Sequence, residues 1–524
     1  MLNYDYLDIA CGEDIPKTSF KKKRDIYLQL KKYMDQPYEA KICALYGLRR
    51  TGKTVMMWQC VGDMTQEERE KSCYILCRIG SDILDIRRAM SELMDKGIKN
   101  FFIDEITYAD GFLEGGNVLS DYYAARDCKV VIAGTDSLGI RLAETDILYD
   151  RVNTIHTSII PFAEFSRLLG TSDISQYIEY GGLLTDRQYK TLQDRDQYIN
   201  TAIVGNILNS LEKSEEMRYH RPALTELYKK EELASTINKL LNKFSYTLTV
   251  KAIRKYFRSA PLYATLRNIK EDTYIKYLDD KNVNHAVKEA LGIKDELETN
   301  LTQQHLKEIK DYLEQLDLFL KIPCYQSLKN GIRQEDLEII LQPGMVYAQA
   351  EVLIQELSDN QYWNDLCQIE DRERFIERAD QFVKGELLEN IILAETYQYL
   401  QMADPKRYYV SQLSLILPTH QNAEADMLCV DKKKGEVYVF EIKHSSQRVK
   451  EQARHLTNPE FGKYIEANFG RIKMKAILYL GPDYHEKDID YFNAEKFLKK
   501  MDTVKRKKMG FERIFLKDEK RIKL

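Results

Sequence analysis

The sequence predicts a multidomain α/β protein, on three observations. Short apolar runs alternate with helical stretches over residues 1–165. That alternation fades into charged, helical segments over residues 166–334. From residue 335 to 524, strand and helix signals mix again. At roughly 100–200 residues per domain, the length of 524 residues accommodates these three units.

The first unit opens with FKKKRDIYLQLKKYMDQ (20–36), which has helical periodicity. KICALYG then reads as a strand, VMMWQCVGDM as a helix and CYILCRI (73–79) as a strand. A helix is expected over 82–96, a strand at NFFIDEI (100–106), a helix over 117–127 and a strand at KVVIAGT (129–135). NTIHTSIIPF (153–162) adds a last strand. Strands alternating with helices predict a parallel sheet covered on both faces. In the middle unit, ELASTINKLLNKF and LTVKAIRKYFR (232–258) read as a helix-turn-helix pair. KEIKDYLEQLDLFLKIPC reads as a helix running into a strand, so either a winged-helix module or a helical linker bundle is expected there. The third unit begins with the helix FVKGELLENIILAETYQYL. RYYVSQLSLIL, the hairpin EADMLCVDKKKGEVYVFEIKHSS and RIKMKAILYLG follow it.

Composition narrows the class. Hydrophobic residues make up 44 % and charged residues 31 %, enough for packed cores beneath a solvated surface. A net charge of −4 argues against a uniformly basic nucleic-acid coat protein and leaves local basic patches open. No run reaches the roughly 18 apolar residues of a membrane span, and the N-terminus lacks the pattern of a secretion signal. The nine cysteines follow no zinc-binding spacing. A reduced, cytoplasmic protein is the expectation.

The chemistry begins at YGLRRTGKTV (46–55). Gly47-x-x-x-x-Gly52-Lys53-Thr54 is the Walker A pattern, preceded by a strand and followed by a helix. Glycine is needed where the backbone wraps a phosphate chain, since a side chain would collide. Gly47, Leu48, Arg49, Arg50, Thr51, Gly52, Lys53, Thr54 and Val55 are therefore the candidate ATP-binding residues. Lys53 would reach the β- and γ-phosphates, and Thr54 would hold Mg²⁺. NFFIDE then delivers Asp104 and Glu105 to the end of a strand, the Walker B arrangement. Asp104 would hold Mg²⁺ and Glu105 would polarise the attacking water, which favours hydrolysis. Thr135, ending VVIAGT, is a candidate sensor of the γ-phosphate. Arg141 and Arg151 are candidate arginine fingers, Arg151 preferred.

A second constellation lies near the C-terminus. Glu389 sits on a helix, Asp426 opens the first strand of the hairpin, and Glu441 and Lys443 share one face of the second strand. Glu389, Asp426 and Glu441 would hold a metal ion, with Asp426, Glu441 and Lys443 catalysing phosphodiester hydrolysis. A charged, exposed hairpin face is the plainer alternative. From Lys496 onward, twelve lysines and arginines face four acids. They suit either phosphate contacts or a solvated helix.

These residues resemble a family of prokaryotic AAA-type ATPases that carry a C-terminal PD-(D/E)XK-like domain of unknown function. GLRRTGKT and FFIDEI resemble its two Walker motifs. DRVNTIHTSIIPFAEF resembles a family segment in which Arg151 aligns with an arginine, and YIEYGGL a motif with paired glycines. GELLEN, EADMLCV and FEIKHSS resemble three C-terminal landmarks. Ala425 stands where that motif's name has proline. The resemblance implies a P-loop AAA-like ATPase domain, a winged-helix middle and a restriction-endonuclease-like end. ATP and Mg²⁺ are the expected cofactors, with DNA and a further copy of the chain as candidate partners. Two functions follow: ATP hydrolysis coupled to DNA binding or processing, or an ATP-dependent switch that binds a protein partner through an inactive nuclease-like domain. A phosphotransferase reading lacks an acceptor-binding motif.

Overall fold

The computed structural model describes residues 4–112, 118–134, 151–184, 192–213, 215–257, 302–328, 331–359, 369–417, 422–448, 450–507 and 510–515. Thr135 and Arg141 lie outside them.

The N-terminal region builds a six-stranded sheet from β1 (Leu7–Cys11), β2 (Ile42–Tyr46), β3 (Ser72–Cys77), β4 (Asn100–Asp104), β5 (Lys129–Gly134) and β6 (Val152–His156), in the order β1-β3-β4-β5-β2-β6. β1 is antiparallel to β3, and every other pairing is parallel. The period of two divides each central strand between two cores. Ile42, Ala44, Phe101, Ile103, Val130 and Ile132 enter one, while Cys43, Leu45, Phe102, Val131 and Ala133 enter the other. Both faces being covered, ICALY is buried throughout, which is why it reads as an unbroken apolar run. Helices α1 (Tyr27–Asp35), α2 (Lys53–Gly62) and α3 (Ile83–Asp95) cover the sheet. α1 is shorter than its periodicity predicts: residues 20–26 lie outside it. The stretch expected as a helix near 117–127 winds as a π turn (Leu119–Tyr123) followed by a 3₁₀ turn (Ala124–Arg126).

Beyond α4 (Phe162–Leu169) the described residues up to Gln315 are mainly helical. The expected helix-turn-helix pair is instead one continuous helix, α5 (Leu233–Phe257). No glycine or proline interrupts it, and Thr247 satisfies its hydroxyl by donating to the Lys243 carbonyl one turn back (2.8 Å). α6 (Gln303–Gln315) then runs into a strand, as expected.

The second sheet has eight strands: β7 (Phe319–Leu328), β8 (Gly331–Ile340), β9 (Tyr408–Ile416), β10 (Asn422–Asp431), β11 (Glu436–Lys443), β12 (Arg471–Tyr479), β13 (Tyr484–Glu486) and β14 (Ile489–Asn493). Their order is β13-β14-β12-β11-β10-β9-β7-β8. It is mixed, with an antiparallel β9-β10-β11 centre and parallel β11-β12 and β7-β9 pairs. The β7-β8 hairpin therefore belongs to this sheet, with residues on both sides of position 334. Helices α7 (Pro343–Asp359), α8 (Ile369–Leu400) and α9 (Ala494–Arg506) join one core with Met427, Phe440 and Ile442, whereas Leu428, Val437 and Val439 face the other. The start of the basic C-terminal run is thus an amphipathic helix, with Phe497, Leu498, Met501 and Val504 buried. Among the described residues no helix is long and apolar enough to cross a membrane.

Candidate functional site

The carboxyl edge of the first sheet gathers the Walker residues. Gly47 follows β2 with a φ of +142°, and a Cβ there would lie 2.4 Å from the Thr157 carbonyl oxygen, so only glycine fits. The Thr51 hydroxyl donates to the Leu48 carbonyl (2.7 Å) and meets the Thr157 hydroxyl (2.8 Å), fastening the loop to the residue after β6. Lys53 begins α2 and is buried, its ammonium donating to the Gly47 and Leu48 carbonyls (both 2.8 Å). Burial pulls its pKa down to about 8, against the opposing pull of Glu105 and Asp104.

Thr54 donates to Asp104 (2.6 Å), joining the two Walker motifs, and Tyr74 on β3 donates to the same carboxylate oxygen (2.8 Å). Glu105 sits in the left-handed region at φ +54°, costing on the order of 1–3 kcal/mol, and its N–H caps the Asp104 carboxylate (3.0 Å). A hydroxyl and a carboxylate in contact, with a buried ammonium beside them, are a donor set suited to Mg²⁺, which takes few protein ligands and completes its shell with phosphates and water. A cavity of about 240 Å³ opens beside the loop, lined in part by Gly52, Val55, Met56, Gln59 and Leu184. Arg49 donates to the Tyr108 hydroxyl, and the Arg50 guanidinium lies over the Tyr198 ring, 5.9 Å from its centre.

Residues 39–166 match the AAA domain family model. This region is an AAA domain. No curated protein matches the chain. Among solved structures, the S. cerevisiae Hsp104-ADP complex aligns at 12% identity over 72% of this chain and 54% of that chain, with a TM-score of 0.22. The chain thus spans about half the length of that structure, and at this score the likeness carries no argument.

Not every expected residue of the AAA domain reaches the loop. Arg151 is at the amino edge of the sheet, where its carbonyl accepts from Ile42 at the start of β2 (2.9 Å). Its half-exposed guanidinium pairs with Asp121 (2.8 Å). β2 and β6 are parallel and five residues long, so about 16 Å of strand separates Arg151 from the phosphate loop.

Sequence reasoning missed the residue beneath the loop. Arg24, within the lysine run, is 4% exposed and holds Glu164, 3% exposed, in a bidentate pair (2.8 and 3.2 Å). It also donates to the Thr51 carbonyl (2.6 Å). Glu164 accepts from the Asp25 N–H (2.8 Å), and the Asp25 carboxylate pairs with Arg167 and with Arg506 on α9 (2.7 Å each). A polar chain thus runs from the phosphate loop of the AAA domain to a helix on the second sheet. The only linear hint was the glutamate of PFAEF.

A cavity of about 410 Å³ lies along this junction, lined by Arg24, Glu164, Glu395 and Arg506 among others. Glu395 on α8 accepts from the Phe162 N–H (2.7 Å). Burial raises its pKa to about 7, with Asp502 adding to the rise and the Phe162 bond and Lys505 opposing it. A carboxyl raised on folding stabilises fully below its unfolded value, and that contribution is lost as pH climbs through 7. Glu395→Gln is therefore expected to match the parent near pH 4 and to exceed it by on the order of 3 kcal/mol at pH 8. Thermal melts at the two pH values check this.

The second constellation also assembles, but in a closed form. Asp426 lies within β10 rather than at its start, at an irregularity between Ala425 and Leu428 that turns its carboxylate toward β11. It accepts from the Ile442 N–H (2.7 Å) and from the Lys443 ammonium (2.9 Å), which also bonds Glu441 (2.8 Å). Glu389 completes the group: burial first, and then the Asp426 carboxylate, hold its pKa well above the usual range. Burial alone would lower the pKa of Lys443, but Asp426, Glu441 and Glu389 together raise it. His455, a residue the motif did not include, meets the other oxygen of Glu441 (3.1 Å). Among the described residues no three His, Cys, Asp or Glu side chains form a group that could hold a metal ion. In this arrangement the lysine is seated between the two carboxylates.

Proposed function

We propose that the protein is an ATP hydrolase whose nucleotide state is transmitted to its C-terminal domain, and that this domain associates with DNA. The observation that carries the coupling is the polar chain from the Thr51 carbonyl through Arg24, Glu164 and Asp25 to Arg506. Backbone N–H groups of residues 47–54 would cradle the phosphates, Lys53 would neutralise the γ-phosphate, and the base would occupy the cavity beside Val55 and Met56. Thr54 and Asp104 would hold Mg²⁺, which when bound offsets charge on the phosphates. Glu105 accepts the proton of the attacking water. Exchange of the Lys53 bonds from loop carbonyls to phosphate shifts the loop that Arg24 supports. Arg151, half-exposed and remote from its own loop, would act on the nucleotide of a neighbouring copy.

Measuring ATP turnover with and without single- and double-stranded DNA at low salt tests both parts. DNA is expected to change the rate, and Lys53→Ala to lower it at least a hundredfold. Turnover unchanged in Lys53→Ala rejects the ATP site. Unchanged turnover and no DNA binding at low salt, where phosphate contacts are strongest, favour the switch reading, in which the closed Asp426–Lys443–Glu441 group serves structure and the partner is a protein. Plasmid cleavage with Mg²⁺ or Mn²⁺ that is lost in Asp426→Ala would instead restore the nuclease reading.

A further inference from the structure

The edge of the first sheet carries a pair of thiols that the ATP chemistry does not use. β1 pairs with β3 so that Cys11 stands directly opposite Cys73. The Arg78 N–H bonds the Tyr6 carbonyl (3.0 Å), which makes residues 6 and 78 a hydrogen-bonded pair. Alternation along the ladder then makes Leu7–Cys77, Ile9–Ile75 and Cys11–Cys73 the non-hydrogen-bonded pairs. In such pairs the Cα atoms are about 4.5 Å apart and the side chains stand closest, within the range of about 4.4–6.8 Å that a disulfide requires. The two sulfurs are already 2.8 Å apart. Cys73 is buried, whereas Cys11 is partly exposed and open to a small reagent. Cys77, on the same face of β3, stands opposite Leu7 instead.

We propose that Cys11 and Cys73 form a dithiol modification site, which a small-molecule disulfide converts into a cross-strand bridge. The Cys11 thiolate attacks one sulfur of the reagent. An S–S bond forms to Cys11, the reagent's own S–S bond breaks, and one thiolate leaves. Cys73, deprotonated, then attacks the Cys11 sulfur and releases the second reagent thiolate. Two protein thiols are oxidised, one disulfide is reduced, and the two protons end on the released thiols. The hydrogen bond between the pair favours this order, lowering the pKa of Cys11 and raising that of Cys73. The bridge would close the chain from 11 to 73 around the phosphate loop, and it would fix the residue next to Tyr74, whose hydroxyl holds Asp104. In a reducing compartment such a bond is transient and reports redox state.

The test is incubation of the full-length protein with oxidised glutathione, alkylation of the remaining thiols, digestion and mass spectrometry. The expected result is loss of two of the nine thiols and one linked peptide pair joining Cys11 to Cys73. Cys11→Ser should abolish the link and Cys77→Ser should leave it intact. A glutathione adduct that stops at Cys11, no linked pair while the protein stays folded, or linkage of other cysteines to the same extent would each overturn the proposal.

Discussion

Arg24→Ala is expected to lower folding stability by about 3–5 kcal/mol, because it strands a buried carboxylate. Glu164 is 3% exposed and takes two charge-assisted bonds from Arg24. The alanine also releases the Thr51 carbonyl of the phosphate loop. Denaturant titration reads the first effect, and ATP turnover under conditions where the variant is still folded reads the second. Arg24→Lys should recover only part of either, since an ammonium cannot reproduce the fork that meets both carboxylate oxygens. Replacing Arg24 and Glu164 together by leucine should return much of the stability without the loop contact. That separation distinguishes a role in packing from a role in supporting the loop. If the single and double variants lose equal stability, the stranded charge is not the cause.

Lys443→Ala is expected to have an effect of similar size, about 3–5 kcal/mol near neutral pH. It removes the cation between Asp426 and Glu441, whose side chains are 7% and 3% exposed, and leaves Glu389 facing both. The loss should shrink on acidification. Burial already makes Glu389 and Glu441 bind protons more tightly in the folded chain, and losing the ammonium removes an opposing pull. Stability is then present at low pH and lost as pH rises through their folded values. Melting the variant and the parent at pH 5 and pH 8 checks the sign. A difference that is constant with pH would place the damage in packing instead.

Local chemistry was legible in the sequence, and long-range partnership was not. The glycine spacing at 47–54 and the acids after NFFI are written in consecutive residues, and the sheet brings Lys53, Thr54, Asp104 and Glu105 together as that spacing implies. The buried strands of the first sheet were readable because both of their faces are covered. Arg24 and Glu164 lie 140 positions apart, and a lysine-rich flank gives no sign that one of its cations turns inward. Arg151 precedes β6, so a parallel sheet carries it to the edge away from its own phosphate loop. Nothing between Leu233 and Phe257 ends the helix. A threonine that bonds back to its own helix is no break at all.

The hairpin of β7 and β8 has a practical consequence for dividing the molecule. β7 gives its free edge to β9 through Cys324, Tyr325 and Gln326, which lie beside Gln412, Leu413 and Ser414. An expression fragment begun at residue 335 would start in the middle of β8, discard β7 and bare the N–H and C=O groups of β9. Such an uncovered strand recruits other chains and aggregates. A fragment begun at Thr302, whose hydroxyl caps α6, keeps the eight strands together and should aggregate less than the shorter one.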